Sequence, residues 1–198
     1  NSAWFRSIGL ALAALLVAPA LNAASITVDG INYTTSVDRT TQQNVATVAK
    51  YTAKKGQDTI WYEGDIVIPQ VVTYNGVDYT VTATAANSFL DCVNLTSLSL
   101  PETCVTIGRN SFKGCTSLKV SPVPVTATSL GTGVWNGCSG MEEITIPAGW
   151  AGPMVSEDLA GCSSLRKIIF AESETPLVMN FEAFGKSDET RVAHKSVT

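Results

Sequence analysis

From about residue 85 to residue 175, apolar, small and polar positions follow one order that returns every 23 or 24 residues. Cys92, Cys115, Cys138 and Cys162 mark the period, at intervals of 23, 23 and 24. Three positions before each stands Phe89, Phe112, Trp135 or Leu159, and three after each stands Leu95, Leu118, Met141 or Leu165. Glycine precedes the cysteine at Gly114, Gly137 and Gly161, with Asp91 in the first copy. Further along, Leu98 and Leu100 precede Pro101, Val123 precedes Pro124, and Ile144 and Ile146 precede Pro147. Ile168 and Phe170 close the fourth copy, with Ala171 in the proline place. Each copy predicts a short strand, such as 95–100, with Leu98 and Leu100 inward and Ser97 and Ser99 outward. Proline ends that strand because it lacks a donor for the ladder. A second extended piece follows: Val105-Thr106-Ile107-Gly108 is answered 23 residues on by Thr128-Ser129-Leu130-Gly131. The aromatic and the thiol then turn the chain back into the core. One such coil cannot bury its own apolar face, and stacked neighbours can. The expected fold is therefore mainly β, a solenoid of coils of about 23 residues, a period within the leucine-rich-repeat range. Its buried file comprises Phe89, Cys92, Phe112, Cys115, Trp135, Cys138, Leu159 and Cys162.

Residues 24–84 lack the period and carry two strand–turn–strand signals instead. Ile26-Thr27-Val28 and Ile31-Asn32-Tyr33 flank Asp29-Gly30, and Val72-Thr73-Tyr74 and Val77-Asp78-Tyr79 flank Asn75-Gly76. Both dipeptides suit a two-residue hairpin turn, so this stretch is expected to be a β-hairpin cap over the open first end of the solenoid. A separate binding module is the rival reading. Ahead of it, Arg6, the apolar run Ile8 to Val17, Pro19 and Leu21-Asn22-Ala23-Ala24 have the order of an export signal over residues 1–23. The segment from Leu10 to Leu21 is too short for the roughly 20 residues a membrane span requires, so no transmembrane span is expected in the mature chain. At the other end Phe184 opens a fifth copy, with Ser187 in the cysteine place. The repeats thus occupy 85–198 with the last copy incomplete, and the natural chain is expected to continue.

Hydrophobic residues at 45% against 15% charged supply enough apolar material for a core and argue against disorder. The formal charge of −4 becomes −4 − 1 = −5 once Arg6 is removed. No basic cluster with interleaved aromatics occurs, so nucleic acid is not an expected partner.

Two runs carry a resemblance to a known family. Asn110-Ser111-Phe112-Lys113-Gly114-Cys115-Thr116-Ser117-Leu118 and the strand Ile144 to Pro147 resemble the repeat of BspA-like leucine-rich repeat proteins. Gly64-Asp65-Ile66-Val67-Ile68-Pro69 and the stretch from Val72 to Val81 are similar to the segment that leads into it. Pro122-Val123-Pro124 and the irregular run from Trp150 to Glu157 depart from the pattern. The resemblance implies an exported protein, secreted or held at a bacterial cell surface, with a role in adhesion to an extracellular protein or glycan partner. That role does not follow from the repeat itself. A structural spacer, or a repeat appendage of a larger secreted protein, are the alternatives.

The candidate chemistry is sparse. The cysteines admit three readings: disulfides, metal ligands or buried small apolar groups. Stacked side chains would point in parallel and no pairing is singled out, which favours free buried thiols. Cys104 falls outside the file and is the one expected to be reactive or to pair elsewhere. No Cys-x-x-Cys occurs and His194 is the only histidine, so neither zinc nor a nucleophile–base pair is expected, and no cofactor. Glu142-Glu143 and Glu157-Asp158 read as solvated surface charge rather than an acid–base couple. Gly131-Thr132-Gly133 reads as turn material. The chain is expected not to be an enzyme. The outward strand positions are the candidate binding face: Thr96, Lys119, Glu142 and Arg166 in one row, and Ser97, Val120, Glu143 and Lys167 in the next. Trp150 is a candidate aromatic contact for sugar or protein, although such a residue more often packs over a core edge. Trp61 also falls outside the clean pattern, and Asp58-Thr59-Ile60 resembles a short O-glycosylation signal.

Overall fold

A computed structural model describes residues 23–51, 62–150, 152 and 154–171. The export-signal segment, Asp58-Thr59-Ile60, Trp61, the fifth copy and His194 lie outside the described residues.

Both dipeptide turns close hairpins. Strands β1 (Ala24–Val28) and β2 (Ile31–Val37) pair antiparallel with Val28 opposite Ile31. Strands β5 (Val71–Tyr74) and β6 (Val77–Thr84) do the same with Tyr74 opposite Val77. Asp29 and Gly30 have φ of 50° and 79°, and Asn75 and Gly76 of 50° and 76°. Two successive left-handed residues are what the tight hairpin turn requires. Strand β3 (Asn44–Val48) runs antiparallel to β2 and parallel to β6, with a register shift at Ala46/Thr47.

The N-terminal strands continue into the coils rather than standing apart from them. Strand β6 pairs parallel with β8 (Thr106–Ile107), and β8 with β9 (Ser129–Leu130), Thr106 meeting Ser129 and Ile107 meeting Leu130. The second extended piece of each coil thus prolongs a seven-stranded sheet that begins at β1. On the other side of the coil, β4 (Gly64–Val67) pairs parallel with β7 (Leu95–Ser99), and β10 (Glu143–Ile146) with β11 (Lys167–Phe170). The run from Trp150 to Glu157 ends in a single helical turn, α1 (Ser156–Leu159).

Backbone bonds lock the turns coil to coil. Asn87 N donates to Arg109 O, Phe89 N to Ser111 O and Asp91 N to Lys113 O, at 2.8, 2.8 and 2.7 Å. Asn110 N, Phe112 N and Gly114 N repeat this one coil later on Thr132, Val134 and Asn136. The residue before each cysteine is left-handed, with φ of 58° at Asp91, 76° at Gly114, 73° at Gly137 and 80° at Gly161. Glycine adopts that conformation without the Cβ penalty, which explains its column. Gly108 and Gly131 have a different reason: a Cβ on either would stand 2.4 Å from backbone of the preceding coil.

Candidate functional site

The file of aromatics and thiols forms the spine. Phe89, Phe112, Cys115 and Cys138 have no exposed surface, and Cys92, Trp135, Leu159 and Cys162 are buried as well. The thiols are free, and three of them hydrogen-bond across the stack. Cys115 Sγ donates to Phe89 O at 3.1 Å, Cys138 Sγ to Phe112 O at 3.0 Å and Cys162 Sγ to Trp135 O at 3.1 Å. A small group that packs like a hydrophobe yet carries one weak donor suits this place, because it serves the carbonyl of the coil before it. Tyr62 extends the file backward: its ring centre lies 5.2 Å from that of Phe89, which lies 5.8 Å from that of Phe112. The Tyr62 hydroxyl donates to Ala49 O and accepts from Asn32 N, tying the N-terminal strands to the first coil.

Two expectations about single residues, Cys104 and Asp158, are corrected, and the two readings of Trp150 are separated. Cys104 is fully buried rather than reactive, and burial pushes its thiol up to about 12. It packs with the core between the two extended pieces of its coil. Trp150 is only 7% exposed and lies against Gly152, so it packs at the core edge, as expected of most such residues, and is not the alternative aromatic contact. Asp158 is not solvated surface charge: it is buried, and its carboxylate accepts Gly133 N at 2.5 Å and Val155 N at 2.9 Å. There it holds the irregular turn against the coil before it.

The outward rows have the geometry of a ladder over part of their length. Glu142 N donates to Lys119 O at 2.7 Å and Arg166 N to Glu142 O at 3.0 Å, while Val120 bridges Glu143 and Glu143 pairs with Lys167. The side chains follow: Lys119 Nζ lies 3.7 Å from Glu142 Oε1, Arg166 Nη2 bonds Glu142 Oε2, and Lys167 Nζ lies 2.9 Å from Glu143 Oε2. These six residues line a shallow hollow of about 330 Å³.

Thr96 and Ser97 do not join those rows by strand pairing. They lie on β7, which among the described residues shares its sheet with β4 alone, and the Val120 bridge belongs with β10. The expected continuous row is interrupted at the second coil, where Pro122, in register with Ser99 and Thr145, removes a donor inside the strand. Thr96 Oγ1 and Ser97 Oγ instead both donate to Asp65 Oδ1 at 2.7 Å, and these two bonds hold the Asp65 carboxyl below its ordinary value. Asp65 belongs to this face although sequence reading passed over it. Its signal was the Ile66-Val67-Ile68-Pro69 run, which has the same strand-then-proline form as Ile144 to Pro147.

Among the described residues no three histidine, cysteine or acidic side chains are grouped as a metal site would need, and no helix is long and apolar enough to cross a membrane. The family model for the BspA type leucine rich repeat region matches residues 80–192 in six copies. Among solved structures, a leucine-rich repeat protein from Bacteroides capillosus is similar at 23% identity and a TM-score of 0.59, over 75% of this chain and 99% of that one. A leucine rich cell surface protein from Faecalibacterium prausnitzii is similar at 19% identity and a TM-score of 0.50, over 76% of this chain and 40% of that one. No curated protein matches.

Proposed function

The chain belongs to the BspA type leucine rich repeat family, and from that premise we propose that it is a non-enzymatic interaction module, exported to the cell exterior, that holds a protein or glycan partner on the outward face of its strand ladder. The observation that carries this reading is the pairing of polar side chains across neighbouring coils in two blocks of the outward face: Asp65 with Thr96 and Ser97 in one, and Lys119 and Arg166 with Glu142 and Lys167 with Glu143 in the other. Stacked coils repeat one outward position at strand spacing, and so turn single side chains into an extended surface. The acids of that surface are neutralised by cations or held by hydroxyl donors, which suits recognition rather than proton transfer. Export is supported by the order of charge, apolar run and small residues over residues 1–23. The Faecalibacterium neighbour, described as a cell surface protein, points the same way.

The test is capture by the chain from residue 24 to 198 on arrays of extracellular matrix proteins and of glycans. Binding should weaken about tenfold when Thr96→Ala, Glu142→Ala and Arg166→Ala are combined, since truncated face side chains act on association rather than folding. The thermal midpoint should hardly move. Capture that ignores these substitutions would place the partner elsewhere, and no capture at all would favour a spacer.

A further inference from the structure

We infer that the second half of this face, over β10 and β11, is a seat for an extended acidic peptide segment, with its carboxylates on Lys119, Arg166 and Lys167 and an apolar side chain over Val120. This rests on the strand face being the binding face and specifies the partner's chemistry for one half of it.

The charge arrangement comes first. Three cations and two carboxylates leave this patch at 3 − 2 = +1, in a chain whose formal charge is −4. The cations also stand higher. The side chains of Arg166, Lys167 and Lys119 are 73%, 62% and 61% exposed, against 39% for Glu142 and 31% for Glu143. The carboxylates therefore lie beneath the cations, and an approaching molecule meets N–H donors. Those donors are largely unspent. A guanidinium carries five and an ammonium three, and each of these groups is shown on a single glutamate. Further carboxylates can be accepted without breaking the ladder.

The floor of the hollow favours a peptide over a sulfated glycan. Val120 is 54% exposed and sits among the five charged residues. One exposed valine is ordinary on a protein surface, but an apolar spot ringed by charge is the anatomy of a protein interface. A sulfated glycan has no apolar group to place there. Lys119 and Arg166 are two strand steps apart, about 10 Å at the usual spacing, which is about three residues of extended chain. Alternate residues of an extended chain share a face, so the favoured segment carries acids four positions apart, about 13 Å, with an aliphatic residue midway on the same side, a span that the long Lys119 and Arg166 side chains accommodate.

The test uses the chain from residue 24 to 198 and a fluorescent peptide with two glutamates four positions apart and a leucine midway between them, read by anisotropy at low salt. Binding is expected, and it should fall steeply as salt rises. Arg166→Glu with Lys167→Glu should weaken it about tenfold, because charges at an interface act on encounter and specificity. Val120→Ser should weaken it several-fold. Arg166→Gln serves as the milder variant, and thermal midpoints establish that each variant is folded. Equal binding of a glutamine-for-glutamate peptide, no binding of the acidic one, or heparin binding indifferent to Val120→Ser would overturn the inference. If the acidic peptide fails while array capture is lost on combining Asp65→Ala with Thr96→Ala, this inference falls and the face reading stands. If the peptide binds every face variant alike, both fall.

Discussion

Phe112 sits in the middle of the buried file, with the Phe89 ring 5.8 Å away and its own carbonyl accepting the Cys138 thiol. Phe112→Ala should cost about 3–5 kcal/mol, since a central coil has little freedom to collapse around the cavity. Denaturant unfolding measures this, and a loss under about 1 kcal/mol would mean the file repacks. The thiols make a second residue-scale case. Cys104 and Cys115 both have no exposed surface, so a thiol reagent should modify Cys104 in the native protein no faster than Cys115, each through local opening. Rapid labelling of Cys104 with slow labelling of Cys115 would contradict its burial. Position along the repeat was the only ground for calling Cys104 exceptional, and residence in a core does not require membership of the main file.

At the scale of the elements, β10 and β11 hold one another by parallel pairing and by the Glu143–Lys167 ion pair above it. That pair is substantially exposed, so solvent screens it and side-chain ordering offsets part of its attraction. A double-mutant cycle on Glu143→Ala and Lys167→Ala should give a coupling of about 0.2–1 kcal/mol that shrinks with added salt. A value well above that would mean the pair is shielded by a neighbour. The separation of the β4–β7 sheet from the β10–β11 sheet is the other element-scale finding. The coils stay stacked across that break because their turns and their second strands continue through it.

For the whole molecule, the N-terminal strands close the stack on both of its sides: β6 covers β8, β4 covers β7, and Tyr62 covers Phe89. A chain beginning at residue 85 should lose cooperative unfolding and aggregate, because an open coil end exposes both core and strand edges. Retained monomeric, cooperative folding would show that the coils are self-sufficient. Alkaline stability is a second property of the whole core. Burial raises Cys104 and Cys138 from 9.0 to about 12, Cys162 to about 11, and Tyr33 from 10.0 to about 12. These groups favour the folded state while neutral, so their contribution is complete below pH 9. It fades as the unfolded chain ionises above that value, until the folded pKa is passed. Stability should therefore fall between pH 9 and pH 11, by on the order of 1 kcal/mol per raised thiol at pH 10. Cys104→Ala with Cys138→Ala should flatten that slope; an unchanged slope would move its origin to Tyr33 and other groups.

The coil period, the buried file, the glycine column and both hairpin turns were legible in the sequence. Each depends on which residue types suit a local backbone or an apolar interior, and repetition multiplies a weak local signal into a strong one. The burial of Cys104 and Asp158 was not legible, because burial depends on what the rest of the chain places overhead. The same holds for Asp65. Its two hydroxyl partners lie 31 and 32 residues away, and no local pattern records a contact between strands so far apart. Like residues recurring at a fixed interval determined that the coils stack. Only the tertiary structure decided where their outer strands join and where they stay apart, since a ladder bond needs its donor and acceptor brought within reach by the folding of everything between them.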